Sequence, residues 1–185
     1  MNKNKQFLLF LSSAFLLSSA EGAKLSFEPI YGIETALVRY PEPARYVNRA
    51  IYGARLLYGV TFLSGEFEYT QTDSRKDYPG SAIKVYDQSQ RASFGVRSTY
   101  VIDSAVGLYA RVGARASKGK SVVETSGVKE TIENPLRLDP YAGAGLQLAL
   151  SPQFALNAGV TLISNSDNHY DSQYTLGLTA QIGNP

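Results

Sequence analysis

Apolar and polar residues alternate along most of the chain beyond residue 24. Between residues 154 and 164, for example, Phe, Leu, Ala, Val and Leu occupy every second position, and Ala, Asn, Gly and Thr lie between them. Alternation with a period of two is typical of a β-strand with two different faces, and no segment shows the roughly 3.6-residue period of an amphipathic helix. The pattern predicts eight strands, at residues 25–37, 52–62, 66–72, 86–100, 106–116, 136–150, 154–164 and 174–182.

The links between these strands alternate in length. Short links lie near residues 63–65, 102–104 and 151–153, and long polar links lie near 40–49, 73–85, 117–133 and 164–172. Membrane barrels have this alternation because short turns face the periplasm and long loops face outward. The sequence therefore predicts an all-β fold, an eight-stranded antiparallel up-and-down transmembrane β-barrel with four outer loops.

The composition of the polar face indicates that this face lies inside the barrel. It is rich in Gly, Ser, Thr, Asn, Gln and Arg and contains no Lys, whereas the polar face of a secreted soluble barrel would carry many Lys, Glu and Asp. Arg pairs with carboxylates through two parallel hydrogen bonds, and side chains just fill the interior of an eight-stranded barrel. We therefore expect a nearly neutral ion-pair network in the lumen, with the predicted members Glu28, Glu34, Arg55, Glu66, Glu68, Arg91, Arg97, Arg111, Arg115, Arg137 and Asp139.

Two glycines, Gly143 and Gly145, lie on this inward face of one predicted strand. No helix follows them, so they do not form a dinucleotide-binding loop. We expect them to allow close packing inside a narrow barrel.

The first twenty residues have the pattern of a secretory signal peptide. A basic opening, residues 1–5, precedes an apolar run at 6–17 and the small residues Ser18, Ser19 and Ala20. This run is shorter than the roughly 20 residues of a membrane-spanning helix, and we expect cleavage after Ala20, with Gly22 or Ala23 as alternatives. The barrel domain is then predicted at 21–185. The whole chain has 18 Lys and Arg against 16 Asp and Glu, and two of the lysines lie in the leader, so the remaining chain is neutral.

The composition excludes several classes of function. The chain has no Cys and one His, which excludes a disulfide framework, a thiolate metal site, a Cys nucleophile and a metal site with several His ligands. It has no strong basic excess of the kind that nucleic-acid-binding proteins usually show. We expect no cofactor, no nucleic-acid partner and no enzymatic activity.

Residues 140–160 and 174–182 resemble the last three strands of small OmpA/OmpX-type (opacity-protein-like) outer-membrane β-barrels, and the turn at 150–154 resembles their periplasmic hairpins. The resemblance implies a monomeric, multi-pass protein of the Gram-negative outer membrane that is inserted by the barrel-assembly machinery. It also implies a structural or adhesive role at the surface, with a host or cell-surface ligand as partner. The family usually ends at an aromatic residue. Here Ile182 stands in that place and Gly183 to Pro185 follow, which puts efficient assembly in doubt.

Basic residues surround the predicted outward end, where the outer membrane presents lipopolysaccharide phosphates. Cationic side chains form charge-assisted hydrogen bonds with phosphate. The predicted lipopolysaccharide contacts are Arg45, Arg49, Arg75, Lys76, Lys84, Lys118 and Lys120.

Two other functions are compatible with the barrel. A narrow channel for water, ions or small solutes is the first, although a filled lumen disfavours steady conduction. A lipid A-modifying enzyme is the second, because His169 lies close to Ser166, Asp167 and Asp171 in the last outer loop. Asp167, Asn168 and Asp171 also supply oxygen ligands for Ca²⁺, but the glycine and glutamate of a calcium-binding loop are missing.

Overall fold

The computed structural model describes residues 22–38, 44–77, 83–165 and 169–182. The predicted leader, Ser166 to Asn168 and the last three residues lie outside the described residues, as do the side chains of Arg45 and Lys76. The described part contains eight strands: β1 (Lys24–Val38), β2 (Arg45–Val60), β3 (Leu63–Asp77), β4 (Ile83–Val101), β5 (Val106–Thr125), β6 (Val128–Ala149), β7 (Phe154–Ser164) and β8 (Tyr170–Ile182).

The strands form one closed antiparallel barrel in chain order. β1 pairs with β2 on one side, where Tyr31 faces Tyr52, and with β8 on the other, where Ile33 faces Tyr174. Closure pairs the backbone of every strand on both sides, as a lipid environment demands. The predicted eight-stranded up-and-down barrel is therefore confirmed. Among the described residues, no helix has the length and hydrophobicity needed to cross a bilayer.

The two faces of the strands have opposite characters. On β1, Glu28 and Glu34 are 1% and 0% exposed, whereas Tyr31 and Ile33 are 62% and 50% exposed. The other strands follow the same alternation, so the outside of the barrel is apolar and the inside is charged. This arrangement suits a barrel surrounded by lipid, and it is the reverse of the arrangement in a soluble barrel.

One end of the barrel carries both ends of the described chain and the short turns. Lys24 and Ile182 lie there, together with the turns at 61–62, 102–105 and 150–153. In the turn at 102–105, the Asp103 carboxylate accepts hydrogen bonds from the backbone N–H groups of Ala105 (2.7 Å) and Val106 (2.8 Å). These bonds favour the ionised form and lower the pKa of Asp103. Short turns mark the periplasmic end of a membrane barrel, and we call the opposite end the outer end.

At the outer end, β3 to β6 are longer than the alternation predicts. The predicted links at 73–85 and 117–133 are mostly strand, and the third outer loop is only the turn of Ser126 (φ 52°) and Gly127 (φ 84°). Positive φ at both positions is typical of a tight hairpin turn. The sequence alone left open whether these links extend the barrel, and their described residues do so as strands. Alternation could not show this, because a strand that rises beyond the apolar surface lacks an apolar face.

The pairing of β5 with β6 contains a bulge at the outer end. Ser117 pairs with Arg137, but Gly119 pairs with Asn134, so β6 has one extra residue in this interval, next to Pro135. A bulge changes the direction of the side chains beyond it and accommodates proline, which cannot donate a ladder hydrogen bond. The bulge lets Asn134 line a cleft at the outer mouth together with Arg137.

Candidate functional site

Six charged side chains form a closed network in the middle of the lumen. Glu28 and Arg55 are direct partners across β1 and β2, and Arg55 and Glu68 are direct partners across β2 and β3. Arg55 lies 2.5 Å from Glu28 Oε1 and 2.6 Å from Glu68 Oε2. We call the complete set the inner cluster: Glu28, Glu66, Glu68, Arg55, Arg97 and Arg111.

The remaining arginines of the inner cluster join the same carboxylates from β4 and β5. Arg111 lies 2.6 Å from Glu66 and 2.8 Å from Glu68, and Arg97 lies 3.1 Å from Glu28. Each of the six side chains is at most 5% exposed. Three carboxylates therefore face three arginines, and the cluster is electrically neutral.

Neutral polar groups connect the other strands to this cluster. Thr179 of β8 donates a hydrogen bond to Glu28 (2.9 Å), and Asn157 of β7 accepts one from Arg97 (2.9 Å). Tyr141 of β6 donates to Glu66 (3.2 Å). All eight strands thus contribute to one hydrogen-bonded layer across the lumen.

Two tyrosines fill the space beside the inner cluster. The Arg97 guanidinium lies 3.8 Å from the centre of the Tyr109 ring, and that of Arg111 lies 4.8 Å from the Tyr141 ring. Both distances suit a cation–π contact. The rings fit because neighbouring strands present glycines to them.

The glycines on the inward face leave room for these rings. A Cβ atom at Gly145 or Gly159 would contact the Tyr109 ring, and one at Gly113 would lie 2.7 Å from the Tyr141 hydroxyl oxygen. At Gly143, a Cβ would lie 2.7 Å from the Val160 carbonyl oxygen. The close packing expected at Gly143 and Gly145 is therefore present.

A second charged group lies closer to the outer end. Glu34 lies 2.5 Å from Arg91 and 3.2 Å from Arg115, and Arg49 is its direct partner across β1 and β2. We call this group the outer cluster: Glu34, Arg49, Arg91, Arg115, Arg137, Asp139 and Asp171.

The acidic members of the outer cluster have defined partners. Asp171 lies 3.7 Å from Arg115 and accepts a hydrogen bond from the Leu37 backbone N–H (3.3 Å). Asp139 lies 3.2 Å from Arg137. Above these residues a cleft of about 390 Å³ opens at the outer mouth.

The predicted lumen residues all lie on the inward side. Ten of the eleven are buried, and the side chain of Arg137 is 39% exposed at the outer mouth. Asp171 and Arg49 belong to the same network but were not in the predicted set. Both fall in segments that the sequence assigned to links, and their inward direction follows only from the register of β8 and β2.

The predicted lipopolysaccharide contacts divide into two groups. Lys84, Lys118, Lys120 and Arg75 have exposed side chains at the outer end. Arg49 instead lies on the lumen side of the barrel wall, opposite Glu34.

The His169 side chain is exposed, and its carbonyl oxygen accepts a backbone hydrogen bond from Asn165 (2.8 Å). Asp171 points into the lumen and pairs with Arg115. Ser166, Asp167 and Asn168 lie outside the described residues. Within the described ranges, no three His, Asp or Glu side chains are grouped as metal ligands.

We predict that Arg55→Met lowers the free energy of unfolding by about 3–5 kcal/mol, because it leaves buried carboxylates without their shared cation. Urea unfolding in lipid vesicles, followed by the mobility of unheated samples on gels, measures the change. Glu28→Gln in the same chain should recover part of the loss, since it restores neutrality. Lys84→Met is the control, because it removes an exposed cation. An Arg55→Met variant as stable as the parent chain would contradict the assigned role of the inner cluster.

No protein-family model and no curated protein matches this chain. Solved structures share its fold. Ail, the attachment invasion locus protein of Yersinia pestis, in complex with the heparin analogue sucrose octasulfate, has a TM-score of 0.61 and 20% identity over 87% of this chain and 99% of that chain. Neisserial surface protein A has a TM-score of 0.56 and 16% identity over 88% of this chain and 100% of that chain. The N-terminal β-barrel domain of Pseudomonas aeruginosa OprF has a TM-score of 0.55 and 12% identity, with 85% and 97% covered. The chain therefore has the fold of small OmpA/OmpX-type outer-membrane β-barrels, as its resemblance implies.

Proposed function

We propose that this chain is an integral outer-membrane β-barrel of a Gram-negative bacterium and that its outer end carries a structural and adhesin-like surface role. The observation that carries the proposal is that the middle of the lumen is filled, whereas at the outer end several strands rise beyond the rest of the barrel. The inner cluster fills the lumen with paired charges. Strands β5 and β6, with 20 and 22 residues, rise far beyond β7, which has 11.

The raised strands form a distinct surface, which we call the outer extension: residues 83–90 of β4, 117–125 of β5 and 128–134 of β6. Residues 125–131 at its tip are all exposed, and Val128 is 72% exposed. The exposed tip of this sheet is free to contact ligands outside the cell, whereas its lower part contains the buried residues Val85 and Val123. Surface segments on a rigid scaffold commonly carry binding functions.

The outer extension also carries cations that suit anionic partners. Lys84, Lys118 and Lys120 are exposed on it. Arg75 of β3 lies 5.3 Å from the centre of the ring of Tyr86, its direct partner on β4. Ail has been seen with a heparin analogue, which is compatible with recognition of a polyanion by a barrel of this fold. We infer that these exposed cations contact lipopolysaccharide phosphates, and that the tip is the part available to a host or cell-surface ligand.

The register of β5 and β6 permits a clean test of the outer extension. Lys120 pairs with Glu133, so removal of residues 121–132 and insertion of Asn-Gly closes the hairpin with a tight turn. We expect this variant to fold as a barrel but to lose the attachment of bacteria to host cells that the intact chain confers. The measurement is the adhesion to host cells of bacteria that lack other adhesins and express either the intact or the shortened form. Undiminished attachment by the shortened variant would contradict a role for the outer extension.

A separate stability measurement tests the proposed contact with lipopolysaccharide. Replacement of Lys118 and Lys120 with Gln should reduce the extra stability that lipopolysaccharide gives the folded barrel. It should not change the stability in phosphatidylcholine vesicles, because exposed charges contribute little without a partner. Urea unfolding in vesicles with and without lipopolysaccharide measures both. Lys24→Gln, at the periplasmic end, is the matched control, and equal stabilisation of all three proteins by lipopolysaccharide would contradict the contact.

A further inference from the structure

The cleft at the outer mouth contains arginine nitrogens without hydrogen-bond partners. The side chains of Arg91 and Arg115 are 5% and 4% exposed. Arg91 Nη1, Arg115 Nε and Arg49 Nε have no acceptor among the described residues. All three side chains line the cleft. A buried donor without an acceptor costs free energy, so these groups are suited to a ligand that brings acceptor oxygens.

The charges around the cleft point to an anionic ligand. Six cationic side chains line it: Arg49, Arg91, Arg115, Arg137, Lys118 and Lys120. Three carboxylates share the lining, Asp87, Asp139 and Asp171, and Glu34 lies against Arg91 and Arg115. The four arginines balance the four carboxylates, and Lys118 and Lys120, at outward positions of β5, add two positive charges at the rim of the cleft. A dianion would balance the excess.

The carboxylates of the cleft cannot supply the missing acceptors in full. Asp87 accepts a hydrogen bond from the Ser121 hydroxyl (2.5 Å), and Asp171 is held by Leu37 and Arg115. Glu34 lies 2.5 Å from Arg91 and 3.2 Å from Arg115, but its Oε2 atom makes no hydrogen bond with the described residues. Arg91 Nη1, Arg115 Nε and Arg49 Nε therefore lack acceptors just beneath the surface of the cleft.

One carboxylate oxygen in the cleft indicates that the ligand also carries a hydrogen-bond donor. Asp139 is 3% exposed, and its Oδ2 atom lacks a donor among the described residues, whereas its Oδ1 lies 3.2 Å from Arg137. A bare phosphate or sulfate dianion would leave Oδ2 unpaired. A ligand with a hydroxyl group beside its anionic group would satisfy Asp139 and the arginines together. The cleft volume of about 390 Å³ lies within the range of small-molecule sites.

We propose that the outer cleft binds a sugar that carries a phosphate or sulfate monoester. The dianionic group lies against Arg91, Arg115 and Arg49, and a sugar hydroxyl donates to Asp139. Arginine suits this role because its fixed fork of N–H donors matches tetrahedral oxyanions. The lower part of the outer extension forms one wall of this cleft, whereas the exposed tip at residues 125–131 lies outside it, so binding in the cleft does not depend on whether the tip binds a host ligand.

Calorimetry on the refolded chain tests the site, in a polyoxyethylene detergent that contains neither phosphate nor sugar. The probes are glucose 1-phosphate, glucose and inorganic phosphate. We expect glucose 1-phosphate to bind, inorganic phosphate to bind more weakly and glucose to give no signal. Arg91→Gln and Arg115→Gln should each weaken the binding of glucose 1-phosphate by about tenfold or more, because each removes charge-assisted hydrogen bonds.

Several controls keep the test decisive. Lys24→Gln removes an exposed cation at the opposite end of the barrel, outside the cleft lining, and it should bind like the parent chain. If Arg91→Gln does not fold, Arg91→Lys replaces it in the test. This variant keeps the positive charge and should bind glucose 1-phosphate with intermediate affinity. The gel shift between heated and unheated samples verifies the fold of each variant. Failure of the parent chain to bind glucose 1-phosphate, or equal binding by the Arg91 and Arg115 variants, would overturn the proposal. Equal affinity for inorganic phosphate would overturn the role of Asp139.

The same titration in vesicles distinguishes two sources of the ligand. If a phosphorylated sugar of lipopolysaccharide fills the cleft from the surrounding membrane, vesicles that contain lipopolysaccharide should suppress the binding of glucose 1-phosphate to the parent chain. If the ligand comes from solution, glucose 1-phosphate should bind equally in vesicles with and without lipopolysaccharide.

Discussion

Pairing of buried charges inside the lumen restricts how the eight strands can associate. Glu28, Arg55 and Glu68 lie side by side on β1, β2 and β3. A shift of one residue in either pairing would turn a whole strand over and expose its charges to lipid. A charged side chain at the middle of a bilayer is costly, so the ion pairs and the apolar outer surface favour the same register. The other strands then add their arginines, Asn157 and Thr179 to a layer whose position is already set.

Packing around this layer explains why the lumen is closed. Arg97 and Arg111 lie over the rings of Tyr109 and Tyr141, and inward glycines on adjacent strands leave space for those rings. The interior is thus filled by side chains that hold one another through charge, hydrogen bonds and ring contacts. Both proposed functions therefore lie at the outer end, where the cleft opens and β5 and β6 continue beyond β7.

The sequence predicted the barrel and the direction of its faces because lipid and lumen demand opposite residue types on alternate positions. The same rule fails above the membrane. Apart from Val123, which is buried and pairs with Val85, residues 118–134 are largely exposed or line a polar cleft. They therefore have no sustained apolar alternation, and the sequence suggested a loop where the structure has strands. Asp171 and Arg49 were missed for the same reason. The contacts of Tyr109 and Tyr141 depend on which glycines lie opposite, and only the register gives that information.

Electrical recording from a planar bilayer that contains the refolded chain tests most directly whether the inner cluster closes the lumen. The sample must first show different gel mobilities before and after heating, which identifies a closed barrel. A folded barrel that remains electrically silent is the expected result, since three arginines and three carboxylates lock one another across the lumen. Discrete conductance steps from the same sample would contradict a closed lumen and would make a narrow channel the better description of this protein.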